Sequence, residues 1–180
     1  MKLNKTMIAH RYGSALFELA LEKSERQDLK KELVELKQVL VNEPNMMLLL
    51  TSKQITKADK QKFIKILGDS ASETLKNLLD MLFDYDRIVD LDVIIDEYIR
   101  LNDEYEKTVK ATVTTAIPLD SDQKSKLANS FARIVGANKV LLEEKVDSDI
   151  IGGVILRSNN YIYDGSLKLR FAQIKRMLLK

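Results

Sequence analysis

The sequence predicts an α+β protein: an N-terminal six-helix bundle over residues 1–107, then a small C-terminal α/β domain over residues 108–180 with a short mixed sheet and two helices. Three observations predict it. From Thr6 to Tyr105 apolar residues recur at spacings of three and four, as in Leu29, Leu33, Leu36 and Leu40, the pattern of amphipathic helices. At Thr108 the period drops to two, because Val109, Ala111, Val113, Thr115 and Ile117 alternate with Lys110, Thr112, Thr114 and Ala116. The 180 residues are 45% hydrophobic with only 6 Gly and 2 Pro, enough apolar mass for a sizeable core and too few breakers for a loop-rich chain.

Each element has its own signal. Helix one is expected over Thr6 to Lys23 and helix two over Glu25 to Asn42. A short third helix follows Pro44, whose fixed φ suits a first turn. Thr56 with Asp59 three residues on resembles a capping box for helix four, and Gly68 is expected to stop it. Ser72 opens helix five. The sixth, from Arg87 to Lys107, sets Ile88, Leu91, Ile95 and Tyr98 on one side and Asp90, Asp96, Glu97 and Glu104 largely elsewhere. After the strand, Pro118 breaks the run, Asp120 or Ser121 caps a helix with Leu127, Phe131, Ile134 and Val135 inward, and Gly136 closes it. A second strand is expected over Val140 to Val146. Ile150 to Arg157 and Tyr161 to Tyr163 then read as a hairpin across Asn159 and Asn160. A final helix begins at Asp164 to Ser166, and its face of Leu167, Phe171, Ile174 and Leu178 is expected to cover one side of the sheet.

Composition excludes most chemistry. There is no Cys, hence no disulfide, thiol nucleophile or thiolate metal site, and an intracellular setting is the simplest reading. No apolar stretch is long enough for a secretory signal or a membrane span. With 1 His, neither a histidine zinc site nor a paired-imidazole centre can form, and His10 is not expected to be catalytic. Asp84, Asp86, Asp90, Asp92 and Asp96 lack the Gly and Glu positions of a calcium loop and are expected on wet helix faces. Gly152 and Gly153 lack the Lys-Ser/Thr pair of a phosphate loop; inside an apolar strand they suit a bulge or a close backbone approach. Glu143 and Glu144 alternate faces of a strand, so they do not converge on a substrate. No catalytic residue, cofactor or metal is expected. Residues 1–107 carry 17 Lys/Arg against 20 Asp/Glu and residues 108–180 carry 12 against 7, so the parts are −3 and +5. That basic part keeps a helical RNA-binding or regulatory module open as an alternative, although the small domain shows no aromatic base-stacking platform.

Two helices carry more apolar surface than one buried face needs. Helix one sets Ile8, Tyr12, Ala15, Leu16 and Leu19 on one face and Phe17 and Leu21 nearly opposite. In helix five, Leu75, Leu78, Leu79, Met81, Leu82, Phe83 and Tyr85 span an arc of about 200°, against roughly 100° for a surface helix. Either both helices are central and buried all round, or a groove between them receives an amphipathic helix from a partner.

These residues also carry a family likeness. Ala9 to Ala20 resembles the opening helix of the delta subunit family of F-type ATP synthases, called oligomycin-sensitivity-conferring protein in mitochondria. Asp86-Arg87-Ile88, the run Thr114 to Leu119, Val146 to Val154 and Asp164-Gly165-Ser166 continue the likeness, so that it covers essentially the whole chain. Ser148 stands where a Pro is common, and Asn159-Asn160 where Gly-Asp is usual. The resemblance implies a non-catalytic stator subunit of the proton-translocating enzyme, peripheral on the cytoplasmic side of the cell membrane and touching the membrane only through the complex. It implies that the helical domain holds the N-terminal segment of an alpha subunit of the catalytic head, using Tyr12, Ala15, Leu16, Leu19, Leu75, Leu79 and Leu82. It further implies that the small domain meets the b subunit of the peripheral stalk, around Ile150, Ile151, Gly152, Gly153, Val154 and the helix from Ser166. No nucleic acid is expected as a partner.

Overall fold

The computed structural model describes residues 4–52, 54–69, 71–159 and 161–179. It is an α+β protein whose contacts divide it into two compact units, Met1–Asn102 and Asp103–Lys180. Helices α1 (Lys5–Glu22), α2 (Arg26–Asn42), α3 (Pro44–Thr51), α4 (Lys57–Gly68), α5 (Glu73–Asp84) and α6 (Leu91–Tyr105) come first, with a 3-10 turn at Ile88–Asp90 before α6. Their apolar faces share one core, in which Leu33, Leu79, Leu82, Ile94, Ile95 and Tyr98 are completely enclosed. Burying each such side chain contributes about 1.5–3 kcal/mol.

The helix starts follow from side chains. Pro44 occupies the first turn of α3. Thr56 Oγ1 accepts from the Asp59 amide at 3.2 Å, but the Asp59 carboxylate accepts from the Thr56 hydroxyl at 2.8 Å, so the shorter acid closes onto the cap's side chain. Ser72 Oγ accepts from the Leu75 amide, and Glu32 of α2 accepts from both the Ser72 amide and hydroxyl, fixing α5 to α2. α4 does stop at Gly68, as expected, but not through a left-handed turn. The glycine is buried at the end of α4, and the cap residue Asp69 is right-handed; a Cβ on Gly68 would stand 3.2 Å from Lys76 Cγ, so packing accounts for the glycine.

Two acids of the sixth segment also depart from expectation. Asp90 is 3% exposed, because the 3-10 turn that precedes α6 rotates it inward beside Arg87. Glu97 is largely covered, since α1 lies directly over it: a Cβ on Gly13 would come within 2.8 Å of Glu97 Cγ. On the same side Phe17 meets Tyr98 edge-on at 6.0 Å, and the Tyr98 hydroxyl donates to the Arg26 carbonyl at 2.9 Å. Burial pushes the Tyr98 hydroxyl up to about 12.

The second unit holds β1 (Thr108–Thr115), α7 (Ser121–Val135), β2 (Lys139–Val146), β3 (Val154–Ser158), β4 (Ile162–Asp164) and α8 (Leu167–Leu178). The sheet order is β2-β1-β3-β4, with β1 and β2 parallel and the other neighbours antiparallel. α7 covers one face, burying Phe131 against Ala111, Val113, Val140 and Leu156. Ile134, expected inward, is 68% exposed, because Leu127, Phe131 and Val135 already fill the face that α7 turns to the sheet. Asp120 and Gln123 form a full capping box at the start of α7, and Gly136 ends it at φ 67°. The boundary between the units precedes the period switch because residues at the end of α6 are bound into the second unit. There Lys110 pairs with Asp103 at 2.7 Å, and Asn138 donates to the carbonyls of Glu106 and Lys107.

Two expectations fail here for one reason. Residues 150–153 are not strand, and α8 does not cover the sheet. Ser148–Ile150 is a 3-10 turn, followed by Ile151 at φ 68° and Gly153 at φ 78°. The Gly165 amide donates to the Val154 carbonyl and the Leu167 amide to the Gly152 carbonyl, each at 2.9 Å. These bonds pin the start of α8 to that loop instead of to a sheet face, and no residue of α8 is buried. The hairpin turn placed at Asn159 and Asn160 lies partly outside the described residues, although β3 and β4 do pair antiparallel around it.

Candidate docking surfaces

On α1 the four residues of the expected groove divide by position on the helix. Leu16 is core at 5% exposed, Tyr12 is half-buried, Ala15 is exposed and Leu19 is 39% exposed. The three from α5 are all core: Leu75, Leu79 and Leu82 are at most 3% exposed. Burial within the unit thus accounts for most of the α5 arc, and those leucines form a floor, not an open lining. What α5 leaves accessible is Met81 at 37% and Tyr85 at 68%. Both lie on the helix flank that carries Thr74, whose hydroxyl donates to Glu25 at 3.0 Å and accepts from Lys23 at 3.3 Å. Tyr12, Ala15 and Leu19 on α1, with Met81 of α5 and Tyr85 just after it, thus keep accessible surface, while Leu16, Leu75, Leu79 and Leu82 are core. Met81 and Tyr85 were legible as part of the surplus arc, but not as its exposed part.

The opposite side of α1 is occupied. Phe17 packs on Tyr98, and His10 Nδ1 lies 3.0 Å from Glu97 Oε1. Arg100 approaches Glu97 through Nε at 2.8 Å and Nη2 at 2.9 Å. The Arg100 hydrogen bonds, with His10 assisting and burial opposing, hold the Glu97 carboxyl down at about 2.

In the second unit the expected stalk contacts also divide. Ile150 is buried, Val154 packs on the sheet core, and Gly152 and Gly153 are the seat of α8; only Ile151, 58% exposed, presents an apolar side chain. A Cβ on Gly153 would strike the Gly165 carbonyl oxygen and one on Gly152 would stand 3.0 Å from Leu167 Cδ1, so both glycines permit close approach. Ser166 caps α8 by accepting from the Leu169 amide at 3.2 Å, while its own amide donates to Asp164 Oδ1 at 2.9 Å. Hydrogen bonds to Asp164 from Ser166, its side chain first and its amide second, hold the Asp164 carboxyl below its usual range. Beyond this cap α8 exposes Leu167, Phe171, Ile174 and Leu178 along one side.

Among the described residues no group of three or more His, Asp or Glu stands close enough to hold a metal ion, and no helix is long and apolar enough to cross a membrane. Fold and surfaces together define an α+β protein of two compact units, each with exposed apolar side chains. The chain belongs to the ATP synthase delta (OSCP) subunit family, whose sequence profile matches residues 8–178. It is 56% identical over 180 residues to ATP synthase subunit delta of Ligilactobacillus salivarius, with all of both chains covered. It is 42% identical to that of Lactiplantibacillus plantarum, with 99% of each covered, and 34% identical to that of Enterococcus faecalis, with 100% of each covered. A chain from the Toxoplasma gondii mitochondrial ATP synthase hexamer shares the fold, with TM-score 0.68 and 20% identity over 96% of this chain and 97% of that one. The chain is thus a subunit of the F-type ATP synthase, a component of its peripheral stalk.

Proposed function

We propose that the chain is the stator connector of its enzyme: the first unit, as a six-helix bundle, holds an alpha subunit's N-terminal segment, and the second unit holds the b subunit of the stalk. Through these contacts it resists the torque that would otherwise turn the catalytic head with the rotor, on the cytoplasmic side of the cell membrane. It takes no part in the chemistry. What supports the first contact is the accessible surface of Tyr12, Ala15, Leu19, Met81 and Tyr85, read as the rim of a groove whose floor is Leu16, Leu75, Leu79 and Leu82. An incoming amphipathic helix would set apolar side chains at helical spacing into such a groove. Nanomolar affinity, about −12 kcal/mol, is within reach of a few well-packed apolar anchors and beyond the reach of exposed charge pairs at roughly 0–1 kcal/mol each.

The test is calorimetric titration of the full chain with a synthetic peptide of the cognate alpha N-terminus. One-to-one binding is expected, and Leu19→Asp, a surface change that leaves the core intact, is expected to weaken it by roughly 100-fold. Failure of the wild-type chain to bind would remove this reading. Equal binding by the variant would move the site off α1.

A further inference from the structure

The turn that closes α1 presents two opposite charges to one buried hydroxyl of α5. Ser24 stands at φ 59°, and around it the Ser24 amide donates to the Leu21 carbonyl at 3.1 Å and the Glu25 amide to the Ala20 carbonyl at 2.9 Å. The side chains on either side of that left-handed residue, Lys23 and Glu25, both reach Thr74 in the first turn of α5. The Thr74 hydroxyl donates to Glu25 Oε2 at 3.0 Å and accepts from Lys23 Nζ at 3.3 Å, so each of its two roles is filled by a charged partner. Thr74 itself is 3% exposed, too deep to touch a molecule docked on the surface.

These bonds do what packing does not. α1 and α5 share one apolar core, and apolar contact is non-directional: it holds two helices together without fixing how one slides or turns on the other. Two charge-assisted hydrogen bonds on one atom fix both. Ser72 ties α5 to α2 through Glu32, and Thr74 adds the tie to the end of α1. On the α1 side the Lys23 amide donates to the Leu19 carbonyl at 3.0 Å, one turn back. On the α5 side Met81 follows Thr74 two turns along the helix and lies within about 20° of it around the axis. Leu19 and Met81, accessible residues of the two helices, are thus each a short length of rigid helix away from the same hydroxyl.

We propose that Thr74 is a positioning residue for the alpha segment: by holding Lys23 and Glu25 it fixes the end of α1 against the start of α5, so that the accessible side chains of both helices meet an incoming helix at a set separation. This rests on the reading that the first unit holds that segment, and it assigns the presetting of the site to a residue that does not touch the partner. A site already in its bound arrangement gives up less freedom on binding and so holds its partner more tightly.

The experiment titrates the full chain with the synthetic peptide of the cognate alpha N-terminus, below the melting point of every variant. Thr74→Val keeps the branched shape, removes both bonds and is expected to weaken binding about 10-fold. Thr74→Ser keeps the hydroxyl and is expected to bind within about twofold of wild type. Lys23→Met with Glu25→Gln removes both charges from outside the core, and so tests the same bonds even where Thr74→Val does not fold. It is expected to weaken binding as Thr74→Val does, and the combined variant to weaken it no further. The chain has 0 Cys, so spin labels on Glu22→Cys and Asp80→Cys report the separation of the two helices alone. Their distance distribution is expected to widen with Thr74→Val and to stay narrow with Thr74→Ser. If Thr74→Val, or the Lys23 and Glu25 variant, melts earlier yet binds as wild type does, the hydroxyl serves stability only and the proposal fails. It fails equally if serine does not restore binding. If the wild-type chain does not bind the peptide, the reading of the first unit falls and this inference with it.

Discussion

Glu97 is charged to very low pH because it is held between Arg100, one helical turn along, and His10 of α1, with only 14% of its side chain exposed. Its folded value of about 2 lies below the ordinary 4.5, so the charged form is the one that folding favours. The contribution is therefore complete above about pH 4.5 and is lost as pH falls toward 2. Arg100 and His10 are themselves 54% and 71% exposed, so solvent screening reduces the effect to on the order of 1 kcal/mol. Glu97→Gln is expected to lower stability at neutral pH by about that amount and to flatten the acid limb between pH 4.5 and 2; urea melts at stepped pH measure both. Strain is stored at another residue. Ile151 at φ 68° is a β-branched residue in a region such residues rarely adopt, a cost of about 1–3 kcal/mol. Ile151→Gly is expected to stabilise the second unit and to weaken its grip on the stalk subunit, whereas Gly153→Ala, which drives a methyl into the Gly165 carbonyl, should destabilise by several kcal/mol.

At the scale of elements, the helices and their caps were legible because their signals are local. Pro44, Thr56, Ser72, Asp120 and Gly136 act within one turn of where they stand. Asp120→Ala is expected to cost about 1 kcal/mol, seen as earlier melting of α7 by hydrogen exchange. Gly68 shows the limit of such reading: a glycine near a helix end serves either a left-handed turn or a close neighbour, and only the position of Lys76 decides between them. The docking surfaces were half legible for the same reason. Periodicity shows that α5 and α8 are apolar over a wide arc or a clean stripe, but which element lies over that surface is a long-range fact. α5 has its arc closed by its own unit and α8 has its stripe left open, a contrast that neither helix's composition contains. In the loop before β3, an apolar run ending in two glycines reads as strand until the pairing of Gly165 with Val154 is known.

At the scale of the whole molecule, the two cores share no residue. The chain passes between the units inside α6, whose Asp103 pairs with Lys110 of the second. Two cores without common side chains should unfold in separate steps, and a cavity made in one should leave the other's transition in place. Leu79→Ala empties a fully enclosed site and is expected to cost the first unit about 2–5 kcal/mol, while Phe131→Ala is expected to cost the second about 3–5 kcal/mol. For units of this size either change should move its own transition by roughly 10 °C or more, followed by hydrogen exchange resolved along the chain. A single transition that both substitutions lower equally would mean that α6 couples the units into one cooperative body. The same pair of variants separates folding from docking. Below its own melting point, Leu79→Ala should still bind the alpha peptide nearly as wild type does, because Leu79 lies beneath the rim, while Leu19→Asp should melt normally and fail to bind. If both leucines prove equally necessary for binding in fully folded protein, the groove must open to its floor when the partner arrives.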